Sequence, residues 1–246
     1  MNVDPLAEQT MELYSYARNN PIRFIDPTGM KGEDFLISFR DENDNVDHFR
    51  FNGSNASDAP DDPFVQEFIK TYIQAQKNGS GNNMKAIATN KYIAVYVNNV
   101  EFESNQVNGR SVYNNYNEIN WNPRMGLETD LGNILSPMTI LEHEAAHSLR
   151  YAYNPGTFIR ENILIRKGYE FKEEERVITG PEQVAARANN EITKGTVTRT
   201  NHQGLPVITK SATSNIIDRT ATKIYLSQPY YKDLYVPGID KFKYLK

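Results

Sequence analysis

The chain has 246 residues and a formal net charge of −4, which supports one large self-sufficient core, or one domain with a short appendage, and no overall basic field for nucleic acid. With no cysteine and only four histidines (His48, His143, His147 and His202), disulfides and thiolate metal sites are excluded. Any metal must be held by imidazole and carboxylate.

No apolar run reaches the length of a membrane span. Met1 is followed by Asn2, Val3 and Asp4, not by the basic and then apolar regions of a signal peptide. Residues 1–30 are too rich in proline and turn residues for one long element. Their strings Asp4–Pro5–Leu6–Ala7–Glu8, Tyr14–Ser15–Tyr16–Ala17–Arg18–Asn19–Asn20–Pro21 and Phe24–Ile25–Asp26–Pro27–Thr28–Gly29–Met30 resemble the end of the RHS repeat-associated core of bacterial polymorphic toxins. The resemblance implies a core tail over 1–30, a variable toxin domain over 31–246, and a longer chain upstream.

Phe35–Phe39 and Val46–Phe51 read as strands of a hairpin around the acidic turn Asp41–Asn45, with His48 on the surface. Asp61–Asp62–Pro63 starts a helix whose apolar face is Phe64, Phe68, Tyr72 and Ile73 and which ends at Asn78–Gly79. Tyr92–Val97 reads as a central strand with Val100–Glu103 as a hairpin partner. Glu118–Trp121 reads as a short strand ended by Pro123. It is expected at a sheet edge, whose open N–H and C=O groups can add a further strand. Trp121 reads as a half-buried core aromatic.

Ser136–Pro137 is a helix start, with Ser as N-cap and Pro at the first position. Inside that helix lies His143-Glu144-Ala145-Ala146-His147, an H-E-x-x-H motif. Residues four apart share a helix face, so His143 and His147 can hold one zinc ion while Glu144 takes a proton from water. At about 100° per residue, Met138, Leu141, Ala145, Leu149 and Ala152 fall on the opposite, core-facing side. No third histidine follows in the metzincin pattern, so a third ligand must come from further on. A second helix is expected over Gly180–Ile192, with Val184, Ala185, Ala188 and Ile192 as its apolar stripe and Glu182 at the stripe's edge. Glu182 is the preferred third ligand. Glu175, with Glu174 behind it, is the rival.

Residues 92–202 look like the effector-type zinc metallopeptidases, which include type III secretion effectors that cleave host MAP kinases. These belong to a gluzincin-like group similar in site layout to clostridial neurotoxin light chains. The matching positions are His143-Glu144-x-x-His147, Glu182–Ala185, Asn189–Ile192 and Arg199–His202. The resemblance implies zinc on His143, His147 and Glu182, Glu144 as base, and Arg199 stabilising the oxyanion or orienting Glu144. The family's Glu-Asn pair is Asn189–Asn190 here. His202 stands where an aromatic hydroxyl is expected, and a histidine can also donate to an oxyanion.

Beyond residue 204, Val207–Ile208–Thr209, a helix near Asn215–Ala221 and a tail with Tyr225, Tyr230, Tyr231 and Tyr235 complete the pattern. The expected fold is α+β and zincin-like, a small, twisted, mostly antiparallel sheet beside the motif helix and a ligand-bearing second helix. The expected function is a Zn2+-dependent endopeptidase, secreted or delivered to a target cell by a bacterial secretion system. It would act on a protein there, with a cognate immunity protein and the RHS shell as further partners and no membrane span. A toxin of other chemistry, such as a nuclease, and a non-catalytic binding or plug module stay open.

Overall fold

The computed structural model describes residues 34–100, 112–114, 117–231 and 234–246. The core-tail resemblance, the boundary at residue 30 and most of the segment Val100–Glu103 lie outside the described residues.

The fold is α+β. Its larger sheet has the strand order β2-β1-β3-β5-β4, built from β1 (Phe35–Arg40), β2 (Val46–Phe51), β3 (Val95–Asn99), β4 (Val112–Asn114) and β5 (Glu118–Trp121). β1 pairs antiparallel with β2, and β4 with β5, but β3 runs parallel to both β1 and β5. This sheet is therefore mixed, and antiparallel pairing predominates only when the smaller sheets are included. Parallel neighbours need a crossover. Two helices supply it between β2 and β3: α1 (Pro63–Asn78) and α2 (Asn82–Ala88).

α1 begins where its sequence dictates. Asp62 accepts hydrogen bonds from the backbone N–H of Phe64 and Val65, and Pro63 opens the first turn. Gly79 ends the helix at φ +76°, the left-handed conformation that a glycine adopts without a Cβ penalty. Phe64, Phe68 and Tyr72 are buried against Phe35, Phe51 and Trp121. Ile73 points to solvent instead, because the buried stripe passes through Ile69 and Ala75.

Glu118–Trp121 is not an edge strand, since β4 covers its outer side. Trp121 is wholly buried, and its indole N–H donates to the carbonyl of Pro137 at 3.0 Å. A second sheet, β10-β6-β7, comprises β6 (Met125–Glu128), β7 (Ile134–Leu135) and β10 (Leu205–Ile208), all antiparallel. The C-terminal residues pack on it, with Tyr225, Leu226, Tyr231, Val236 and Tyr244 in one apolar cluster beside Met125 and Val207. The C-terminal helix, α7, occupies Arg219–Leu226, a few residues later than its sequence suggests, because Asp218 caps it through Ala221 N–H. Among the described residues no helix is long and apolar enough to cross a membrane.

Candidate metal centre

The motif helix, α3 (Pro137–Tyr153), sits between the two sheets. Ser136 accepts a hydrogen bond from Thr139 N–H and Pro137 occupies the first turn. Met138, Leu141 and Ala145 enter the main core, and Leu149 and Ala152 pack at its margin. The opposite face is buried too: His143, Glu144 and His147 are each less than a tenth exposed. Two anchors fix the helix's rotation. One is the Trp121 bond to Pro137. The other is Glu142, whose carboxylate accepts from the N–H groups of Asn83 and Met84 at the start of α2.

After α3 come α4 (Pro155–Glu161), a two-stranded hairpin of β8 (Ile165–Arg166) and β9 (Glu170–Phe171), and then α5 (Lys172–Val177). A π-helical turn, Ile178–Glu182, joins α5 to α6 (Gln183–Ala188). The single second helix expected over Gly180–Ile192 is thus the end of the π-helical turn followed by α6, which stops at Ala188. Pro181 inside the turn lacks an N–H and so disturbs the regular ladder. Val184 is exposed, while Ala185, Ala186 and Ile192 are buried.

α5 alone delivers three consecutive glutamates to different places. Glu173 Oε1 lies 3.1 Å from Nδ1 of His147 and is held by Arg176. Glu175 points away and pairs with Arg166 at 3.2 Å, well exposed. Glu174 faces the inner edge of the motif. Its Oε1 is 3.2 Å from Nε2 of His147, and its Oε2 is 3.4 Å from Nε2 of His143. The two Nε2 atoms are themselves 3.2 Å apart.

Glu182 does not stand at that inner edge. It is wholly buried behind His143, with Oε2 2.9 Å from Nδ1. Arg199 binds both of its carboxylate oxygens, and Thr198 donates to Oε1 at 2.6 Å. Burial opposes ionisation of Glu182, but Arg199 and His143 bring its pKa down to about 2. An ionised carboxylate only accepts hydrogen bonds, so Nδ1 of His143 carries a proton. In the neutral ring Nε2 then presents a lone pair. The same reasoning applies to Glu173 and His147. Each motif histidine is oriented from behind by a carboxylate–guanidinium pair, the arrangement that fixes the tautomer and raises the basicity of metal-binding imidazoles.

Arg199 is 4% exposed, with its guanidinium spent on Glu182 and on the carbonyl of His202, 2.8 Å from Nη1. It also lines the cleft beside His143 and Glu144, so it stands at the site while holding Glu182 and the His202 loop. His202 lines the cleft and is partly exposed, with Nδ1 2.8 Å from Glu170 and Nε2 3.5 Å from Glu174 Oε2. Burial lowers its pKa and favours the neutral ring.

These donors fit a divalent cation. His143, Glu144 and His147 offer ligand atoms within 4.8 Å of one another. Glu174 adds the carboxylate nearest to both Nε2 atoms. Its Oε2 is buried, and among the described residues nothing donates a hydrogen bond to it. Zinc bonds of about 2.0–2.1 Å in a tetrahedron put neighbouring donors about 3.3 Å apart, close to the three separations above. The charge agrees: Glu144, Glu173, Glu174 and Glu182 gather around the two histidines, with Arg176 paired to Glu173 and Arg199 to Glu182. Burial works against charge on His143 and His147, yet the surrounding carboxylates raise both above the usual imidazole range. The pocket attracts positive charge strongly. Burial pushes Glu144 up, partly offset by the two histidines.

The cleft in front of these groups encloses about 420 Å³. Its walls are mixed: Met125, Leu127, Ile140, Pro206, Leu234 and Val236 form an apolar side, and Glu170, Arg199, His202 and Gln203 join His143 and Glu144 on a polar one. His48 is on the surface, against Tyr96, and takes no part. The histidine motif marks this site in the sequence. Glu173 and Glu174 carry no comparable signal, because only the docking of α5 tells them from Glu175. No protein-family model, curated protein or solved structure matches the chain.

Proposed function

We propose that the chain is a zincin-like, zinc-dependent endopeptidase with His143, His147 and Glu174 as its metal-binding residues. The observation that supports this best is the inner edge itself, where two oriented Nε2 atoms and a buried carboxylate oxygen without a donor converge beside Glu144. A zinc ion held there supplies Lewis acidity, polarising a carbonyl and acidifying water. The protein does the rest. Glu144 takes the proton of the attacking water and returns it to the leaving amine, a task suited to a carboxylate whose pKa burial has raised. Glu182 with Arg199, and Glu173 with Arg176, keep the two imidazoles in one tautomer and one orientation. The apolar side of the cleft, with Ile140, Leu127 and Pro206, offers room for a hydrophobic side chain of the substrate.

In this reading the substrate is a protein in a target cell, and the chain reaches it as the toxin portion of an RHS-type carrier. That part rests on the resemblance of residues 1–30. The test is direct. Purified protein is expected to hold one zinc per chain by elemental analysis and to cleave an unstructured protein substrate. Glu144→Gln should retain the zinc and lose about two to four orders of magnitude in rate. A wild-type chain without zinc, or a Glu144→Gln variant with undiminished cleavage, would sink the proposal.

A further inference from the structure

Three of the four histidines share one arrangement. Each has its Nδ1 against a glutamate and its Nε2 turned toward Glu174: His143 with Glu182, His147 with Glu173, and His202 with Glu170. The third member lies outside the H-E-x-x-H motif, on the loop before β10. From this repetition we infer that His202 is a fourth protein donor to the metal, closing an N3O set with His143, His147 and Glu174. The inference rests on the reading of the inner edge as a metal site.

Three observations carry it. First, His202 Nε2 is 3.5 Å from Glu174 Oε2, almost the same separation as His143 Nε2 at 3.4 Å, and close to the edge of a zinc tetrahedron. Both rings approach the same oxygen, the one that receives no hydrogen bond. Second, Glu170 fixes the tautomer. Its carboxylate accepts from Nδ1–H, so the neutral ring has only a lone pair at Nε2. Such a ring has nothing to donate to an oxyanion, but it is suited to bind a cation. Glu170 is held at φ +69°, a backbone conformation that costs an L-residue energy and persists where the surroundings impose it. Third, the loop is tied at both sides. His202 N–H donates to Gly168 O at 2.8 Å, and Arg199, itself bonded to Glu182, holds the His202 carbonyl. One guanidinium thus serves the supports of two of the three imidazoles.

Four protein donors make a closed shell, whereas a hydrolytic site needs a position for water. The arrangement described is therefore a resting one, and hydrolysis requires His202 to yield its place. His202 suits that role, as the most exposed of the four donors and the only one carried by a loop.

The test reads the metal, not the activity. Zinc affinity is measured by competition with a chromophoric chelator, and the cobalt(II)-loaded protein is examined by visible absorption. Wild type should show the intense d–d bands of a four-coordinate site. His202→Ala should bind zinc at least about tenfold more weakly, with weaker, shifted cobalt bands as water enters. His202→Gln should do the same, which guards against a folding defect peculiar to alanine. His48→Ala, on the surface, should change neither. Unchanged affinity and an unchanged cobalt spectrum in both His202 variants, with metal lost in His143→Ala, would overturn the inference and leave the metal site standing. A wild-type chain that binds neither ion overturns both.

Discussion

Glu173, Glu174 and Glu175 show how one turn of helix assigns three roles to one residue type. Successive positions rotate by about 100°, so one carboxylate reaches the back of His147, the next the shared inner edge, and the third the outer Arg166. The sequence puts Glu175 ahead of Glu174 as the rival to Glu182 and does not single out Glu173; the structure reverses that order, because it depends on how α5 docks on α3. Glu182 has the opposite history. Its place near the site follows from sequence, but its side of the imidazole is decided by Arg199 and Thr198, which draw it to Nδ1. Substitution separates the cases. Glu174→Gln should reduce zinc affinity by more than about 100-fold, and Glu182→Gln by about 10–100-fold as a supporting residue. Glu175→Gln should leave it unchanged. Equal losses in Glu174→Gln and Glu175→Gln, measured by chelator competition, would contradict the assignment.

At the scale of the element, α3 carries a support that its sequence does not announce. Ser136 caps it, as the Ser-Pro pair indicates, but Glu191 completes the cap from 55 residues away. Its carboxylate accepts from Ser136 N–H at 3.1 Å and from the Thr139 hydroxyl at 2.7 Å. Burial pushes Glu191 up to about 7, against the lowering effect of those hydrogen bonds. The folded chain therefore keeps a proton that an unfolded glutamate, with its ordinary pKa of 4.5, has released. The folded state binds the extra proton between those values, so the stability it contributes is fully present below 4.5 and is lost as pH rises through about 7. Glu142, also raised by burial to about 7 despite its backbone partners, adds a slope of the same sign. Glu191→Gln should flatten, without abolishing, the fall in urea midpoint between those pH values. An unaltered slope would show that Glu191 titrates normally in the folded chain.

The elements themselves divide by the range of their causes. α1, α3 and the β1–β2 hairpin are legible because caps, a proline at the first turn and short-range apolar spacing define them. The parallel placement of β3, the cover that β4 gives to β5, and the π-helical turn at Pro181 arise from contacts between distant segments. Local pattern does not encode those. The small strands β7, β8 and β9, two residues each, are defined by their partners rather than by their own residues.

For the molecule as a whole, the centre joins parts that the two sheets otherwise hold separately. α3 belongs to the main core, α5 and the π-helical turn bring the glutamates, and the loop before β10 brings His202. A cation bound by all of them favours the folded state over the unfolded one. At 100 times its dissociation constant a ligand adds about 2.7 kcal/mol, or roughly 5–10 °C in midpoint for a domain of this size. Removing metal with a chelator should lower the thermal midpoint of wild type by about that much. It should leave His143→Ala unmoved. A wild-type midpoint indifferent to chelator would mean that the site contributes nothing to holding these parts together.

The bond from Trp121 to Pro137 has a practical consequence. Trp121 is the only tryptophan in the chain, it is shielded from solvent, and its N–H is engaged by the first residue of the histidine helix. Light absorbed at the red edge of the aromatic band is taken up by that one indole and not by the 15 tyrosines. Its emission colour and lifetime then report on a single seat, the place where the helix carrying His143 and His147 leaves the sheet. The protein carries an optical gauge of the seat of its histidine helix, with no label attached.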